Sequence, residues 1–307
     1  MLSALYRLRF DYRRRRGLPK LVNQLNTGLV NVTAGIACAI SPPRAPRRDA
    51  ACEPVVVSLT SYGPRARRAV PCLMSLLKQD HPNFRVILWL SQDEFKAGLP
   101  PDIRRLQHRG LEVELVEDLR SYKKVYFAAR RFPGLAIVTA DDDFLYPETW
   151  LSELTEAHAR APGAVVCHRC HEMLTDGAGA LLGYEQWNWY ANGVVGPSHA
   201  LHILSGAGAL FPAGFFDEPF FDWETIRRLC PTTDDIWLKL TALRQGVPVV
   251  KVRTYTKSLV CVRGTQDETL YGHNRRNAND EALAALQEHF GLNIAAMLEE
   301  EKGARRI

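Results

Sequence analysis

The chain has 307 residues, 46% hydrophobic and 24% charged, an ordinary globular composition with room for one large α/β domain and appendages. Seven cysteines, odd in number and scattered, exclude a disulfide framework and favour a reducing compartment. The net charge of +5 is uneven: residues 1–50 carry ten Lys/Arg against two Asp/Glu, leaving −3 for the rest, a basic leader that suits an anionic membrane surface, with no nucleic-acid partner expected, and equally suits a solvated tail.

In chain order, the leader holds an apolar stretch, Leu21 to Ile40, interrupted by Asn23, Gln24, Asn26 and Asn31. It is too polar to span a bilayer and better suited to lying on one. Ser41 to Pro54 is a Pro/Arg/Ala-rich linker. Strands are expected at Val55–Leu59, Phe84–Leu90, Leu111–Val116 and Leu135–Val138, with helical segments between them, the first carrying Val70, Leu73, Leu76 and Leu77 behind Pro71. This β-α-β alternation implies a parallel sheet covered by helices. A helix over Pro147–Ala161 and a strand at Ala164–Cys167 follow. Gly183–Pro197 gathers Tyr184, Trp187, Trp189 and Tyr190 among amides, a pattern that suits both a core and a sugar-holding face. The segment Ser205–Phe211 places Gly206 and Gly208 where backbone comes close to a ligand or turns sharply. A helix from Thr233 to about Gln245, a strand at Val247–Val252, a polar loop and a helix at Glu281–Phe290 complete the fold. The charged tail beyond Leu292 is expected to fray.

Two acidic sites stand out. Asp141-Asp142-Asp143 closes the apolar run Leu135–Val138, where open α/β sheets place ligands. Clustered carboxylates need a cation or donors among them, and hard oxygens favour Mg2+ or Mn2+, although aspartates there also suit a solvated turn or a helix start. Asp234-Asp235 opens the later helix, with one carboxylate more than capping requires. The spacing Cys167-His168-Arg169-Cys170-His171 matches a haem-attachment motif but overlaps a strand, and is read as chance.

The ordered set Ser58-Leu59-Thr60-Ser61-Tyr62, Leu73-Met74-Ser75-Leu76-Leu77-Lys78-Gln79, Ile137-Val138-Thr139-Ala140-Asp141-Asp142-Asp143 with Pro147, Ser205-Gly206-Ala207-Gly208 and Asp234-Asp235-Ile236-Trp237 resembles glycosyltransferases of the GT-A fold, close to the bacterial family-2-like enzymes. The resemblance covers Val55 to Phe290. It implies a Rossmann-like, mostly parallel sheet flanked by helices at 54–292, after a basic extension at 1–53 and before a charged tail at 293–307.

The resemblance further implies a metal-dependent, inverting transfer of a sugar from a nucleotide-sugar donor, UDP-linked by family habit, to a glycan or lipid-linked acceptor in bacterial cell-surface polysaccharide synthesis. The triple aspartate corresponds to the family's D-x-D element. Counting from Pro147 favours Asp142 as the ligand of Mn2+ or Mg2+, and the literal spacing favours Asp141 and Asp143. His273 is a further candidate ligand. Asp235, or Asp234, matches the general base. Thr60, Ser61, Tyr62, Arg65, Lys123, Lys124, Asp141 and Asp142 are assigned to the nucleotide-sugar, one carboxylate of the triple aspartate meeting the ribose, Arg275 and Arg276 to the pyrophosphate, and Trp187, Trp189, Gly206 and Gly208 to an acceptor or sugar pocket. The location implied is cytoplasmic, peripheral at the inner face of the membrane. Alternatives are a sugar nucleotidylyltransferase, disfavoured by the single glycine in Thr60–Arg65, and a non-catalytic module binding glycans or polyanions.

Overall fold

Apolar runs that cannot leave either face in water become interior strands of a parallel sheet. In the computed structural model, which describes residues 1–9, 17–40, 54–252, 259–265 and 278–304, four such runs form β1 (Val55–Thr60), β2 (Phe84–Ser91), β3 (Leu111–Val116) and β4 (Ala136–Thr139). They lie in the order β3-β2-β1-β4 with every neighbour parallel; Val56 stands beside Arg85 on one side and Ile137 on the other. The chain steps from β1 to β2 to β3, then returns to set β4 on the far flank of β1. Where strand order reverses in this way, a crevice opens at the carboxyl ends of the two central strands.

The described parts of the leader form two helices. In α1 (Leu2–Arg7) the N–H groups of Leu2 and Ser3 donate to the Glu148 carboxylate at 2.9 and 2.7 Å, and the Tyr6 hydroxyl donates to Leu145 O at 2.5 Å. In α2 (Leu18–Ile40) Asn26, Val30 and Ala34 are buried. The helix α3 (Lys123–Arg131) packs against β1, β2 and β4. A two-residue pair, Phe144–Leu145 with Val260–Cys261, runs antiparallel.

The chain divides into two compact units, Met1–Thr155 with Thr254–Glu268, and Glu156–Arg253 with Thr269–Ile307. In the second unit β5 (Val165–Cys167) pairs parallel with a later strand, Val249–Lys251, and antiparallel with Ala209–Phe211. A separate hairpin-like ribbon joins β6 (Cys170–Glu172) to β7 (Leu201–Ile203). The central helix is α4 (Asp234–Arg244), with eight of its eleven residues buried. The helix α5 (Asn279–Phe290) ends on Gly291 in the left-handed region, φ 62°.

The expected fraying beyond Leu292 is corrected. Ile294–Ala304 forms the helix α6, because Ile294 and Leu298, four residues apart, both find the core and Glu301 accepts the His199 N–H at 2.7 Å. The α/β class with a mostly parallel, helix-covered sheet agrees with expectation. Among the described residues no helix is long and apolar enough to cross a membrane.

Candidate active site

The first acidic cluster lies at the carboxyl ends of β1 and β4, where the strand order reverses. The β1 strand runs into Thr60-Ser61, and β4 runs through Ala140 into the three aspartates. Asp142 is buried. Its Oδ2 accepts the Ser61 hydroxyl at 2.5 Å and its Oδ1 accepts Arg65 Nε at 2.9 Å. The other arm of the same guanidinium meets Asp143 Oδ2 at 3.0 Å. Arg65 comes from the short helix Arg65–Arg68 directly after the β1 loop, so one turn of chain carries both the hydroxyl and the cation to the aspartates. Asp141 points elsewhere: its Oδ1 accepts Lys124 Nζ at 2.8 Å.

Burial pushes the Asp142 carboxyl up to about 6, opposed by the Arg65 charge and the Ser61 hydrogen bond and reinforced by Asp143 and Asp141. Burial, with the nearby aspartates, also raises the Cys72 thiol and the Tyr146 phenol. Both therefore stay neutral against the cluster. The Tyr146 hydroxyl accepts the Asp141 N–H at 2.9 Å, which fixes the turn. Lys123 and Lys124, which as a plain pair would sit on the surface, are both buried on α3. Lys123 pairs with Asp118 rather than with an aspartate of the cluster. Thr60 Oγ1 donates to Trp89 O at 2.8 Å, while Tyr62 is exposed, with the Arg65 guanidinium 5.8 Å from its ring centroid.

Among the described residues no group of three His, Cys, Asp or Glu is arranged as a complete metal cage. The cluster nonetheless fits a divalent cation of the kind that substrate phosphates complete. Mg2+ and Mn2+ are commonly held by one or two carboxylates plus phosphate oxygens, and Asp142 and Asp143 already converge on one cationic group, the Arg65 guanidinium. Those two are the residues that would hold it. His273, Arg275 and Arg276 lie outside the described residues.

The second unit brings together a different set. Thr233 caps α4 without a side-chain bond, and Asp235 turns from capping to accept the Ser205 N–H at 2.9 Å. The helix start is thereby tied to the segment holding Gly206 and Gly208, where Gly208 has φ 117°. One turn along α4, at the helical spacing of four, Lys239 is fully buried and its Nζ has no hydrogen-bond partner among the described residues. Burial lowers its ammonium to about 7, against the pull of Cys170, Glu301 and Cys167. A lysine inside Ile236-Trp237-Leu238-Lys239-Leu240 is the signal that the sequence reading passed over.

The aromatic segment divides in two. Trp187 is buried and donates its indole N–H to Leu182 O at 2.8 Å, whereas Trp189 and Tyr190 are half-buried. The Trp189 ring lies tilted against His171 with centroids 4.5 Å apart, and the Tyr190 N–H donates to His171 Nδ1 at 3.0 Å. Burial, with the Arg169 charge, lowers His171 to about 4, so it presents a neutral acceptor nitrogen. Tyr190 holds φ 62°, a left-handed conformation that non-glycine residues seldom adopt, with Lys251 Nζ donating to its carbonyl at 2.5 Å. Cys167 and Cys170 are free and buried on either side of the turn between β5 and β6.

No protein-family model matches the chain, and no curated protein matches it. Among solved structures it is similar to the mannosyltransferase PcManGT from Pyrobaculum calidifontis in complex with GDP-Man and Mn2+, at 14% identity and a TM-score of 0.45, over 99% of this chain and 87% of that one. It is also similar to S. aureus TarS 1–349, at 12% identity and 0.42, over 68% and 59% of the two chains. A third likeness is to 4-diphosphocytidyl-2C-methyl-D-erythritol synthase, at 10% identity and 0.39, over 74% and 98%. At these scores the likenesses carry no argument about ligand or reaction.

Proposed function

We propose that the protein is a metal-dependent glycosyltransferase that moves a sugar from a nucleotide-sugar donor, a UDP-sugar, to a hydroxyl of a glycan or lipid-linked acceptor. The observation that carries this reading is the position of Asp141–Asp143 and Ser61: both follow the two strands at which sheet order reverses, where open α/β folds hold nucleotides. The setting proposed is bacterial cell-surface polysaccharide synthesis on the cytoplasmic side.

In the transfer, an acceptor oxygen forms a bond to the anomeric carbon as the bond from that carbon to the diphosphate oxygen breaks. A divalent cation on Asp142 and Asp143, when bound, supplies positive charge to the departing diphosphate. Arg65 and Lys124 bring further positive charge to the same crevice, and Ser61 orients Asp142. Thr60 and Tyr62 are assigned to the nucleoside. On the acceptor side we assign Asp235, with Asp234 as its neighbour, to take the hydroxyl proton. An attack from the face opposite the leaving group gives inversion. Trp189 supplies an aromatic face for a sugar ring, and Gly206 and Gly208 permit close backbone approach. Mn2+-dependent release of UDP from a panel of UDP-sugars, lost in Asp142→Asn, tests the reading. Pyrophosphate release from a nucleoside triphosphate and a sugar phosphate would assign a nucleotidylyltransferase instead.

A further inference from the structure

The helix α2 carries an outward apolar stripe in addition to the side it buries. Its inner side buries Val30 and Ala34 and also holds polar groups fixed by hydrogen bonds. Arg9 Nη1 donates to Asn26 Oδ1 and Thr27 Oγ1, each at 3.0 Å, Asn26 Nδ2 donates to Leu5 O at 2.9 Å, and Asn31 Nδ2 donates to Cys261 O at 3.2 Å. Its outer side is apolar: Leu18, Leu21, Leu25, Leu29, Val32 and Ile36 are each between 50% and 69% exposed. Steps of three and four residues place all six on one stripe, which extends about 27 Å at 1.5 Å per residue. Soluble surface helices bury such a stripe and expose their amides, and a contiguous exposed apolar face of this kind marks a partner.

Charge identifies the partner. The helix contains no Asp or Glu. Lys20 on it and Arg7 on α1 are exposed, and the sequence directly before it reads Arg13-Arg14-Arg15-Arg16. An apolar stripe with cationic neighbours and no anions is the composition of a helix that lies in a lipid interface, its apolar side among acyl chains and its cations among anionic headgroups. A second copy of the chain on the same face would bring together two leaders that each carry +8 over residues 1–50, an arrangement that self-repulsion opposes.

We propose that the outer face of α2 is a membrane-docking surface for an anionic phospholipid bilayer, the helix lying in the plane of the interface. This stands independently of the donor chemistry. The test is co-sedimentation of the full chain with phosphatidylcholine vesicles containing about 30% phosphatidylglycerol, at low and high salt, beside vesicles of phosphatidylcholine alone. The chain should pellet with the anionic vesicles, less so as salt rises. Leu25→Gln/Leu29→Gln should weaken binding by at least about tenfold, with unchanged circular dichroism and melting temperature, since both side chains are exposed in the fold. A wild-type chain that stays in the supernatant at low salt overturns the proposal, as does a double variant that binds like wild type. Loss of a dimer in the double variant, with no vesicle binding by either protein, would give the stripe to a second copy instead.

Discussion

Lys124 Nζ lies 2.8 Å from Asp141 Oδ1, yet the two side chains differ in setting: the lysine is 5% exposed and the aspartate 39%. Breaking the pair is therefore asymmetric. Asp141→Ala leaves a buried ammonium short of its carboxylate and should cost about 1–3 kcal/mol. Lys124→Met leaves a carboxylate that water can reach and should cost less than about 1 kcal/mol. Urea unfolding of the two variants reads the difference, and equal costs would contradict it.

Arg65 holds Asp142 and Asp143 on one guanidinium. Replacing it leaves two adjacent carboxylates without that counter-charge, so Arg65→Gln should lose about 2–4 kcal/mol in EDTA. Mn2+ should return part of that loss, giving a larger metal-induced rise in melting temperature than in wild type. A rise no larger than wild type's would show that the metal does not use this pair of carboxylates.

Asp142 makes stability fall as pH rises. Its carboxyl titrates at about 6 in the fold against an ordinary 3.8, so between those values the native state holds a proton that the unfolded chain has released. Stability from this group is complete below about pH 4 and is lost as pH passes 6, a contribution of about 3 kcal/mol. Asp142→Asn should remove that slope and be at least as stable as wild type at pH 7.5 while losing metal-dependent donor binding. Melting curves across pH 4–8 check both parts.

Lys239 has the opposite dependence. Its ammonium titrates at about 7 in the fold against an ordinary 10.5, so between the two the unfolded chain binds the extra proton and wild-type stability rises with pH. Lys239→Met should stabilise the protein by about 3–5 kcal/mol at pH 6, and by progressively less toward pH 10. Denaturant titrations at pH 6 and 9 that show no gain would contradict the charge penalty.

The sheet was legible because parallel strands buried on both faces read as unbroken apolar runs, and the acidic cluster because it interrupts one of them at its carboxyl end. The pairing of Arg65 with Asp142 was not, since 77 residues and a sheet crossover separate them. Periodicity gives α2 an apolar stripe and a polar one, but only the tertiary partners Arg9, Leu5 and Cys261 decide that the amides face inward. Likewise the Ile294–Ala304 helix depends on a core that its charged sequence does not announce. Asp235 reads from sequence as half of a capping pair, and its bond to the Ser205 N–H is a long-range contact that local spacing does not encode.

The most direct measurement is calorimetric titration of UDP into the protein with Mn2+ and with EDTA, on wild type and Asp142→Asn. The result expected is saturable binding to wild type that strengthens at least about tenfold with Mn2+, and no such strengthening in the variant. UDP binding that is absent in both, or equally tight with EDTA and without Asp142's charge, contradicts a metal-dependent donor site at the β1–β4 crevice.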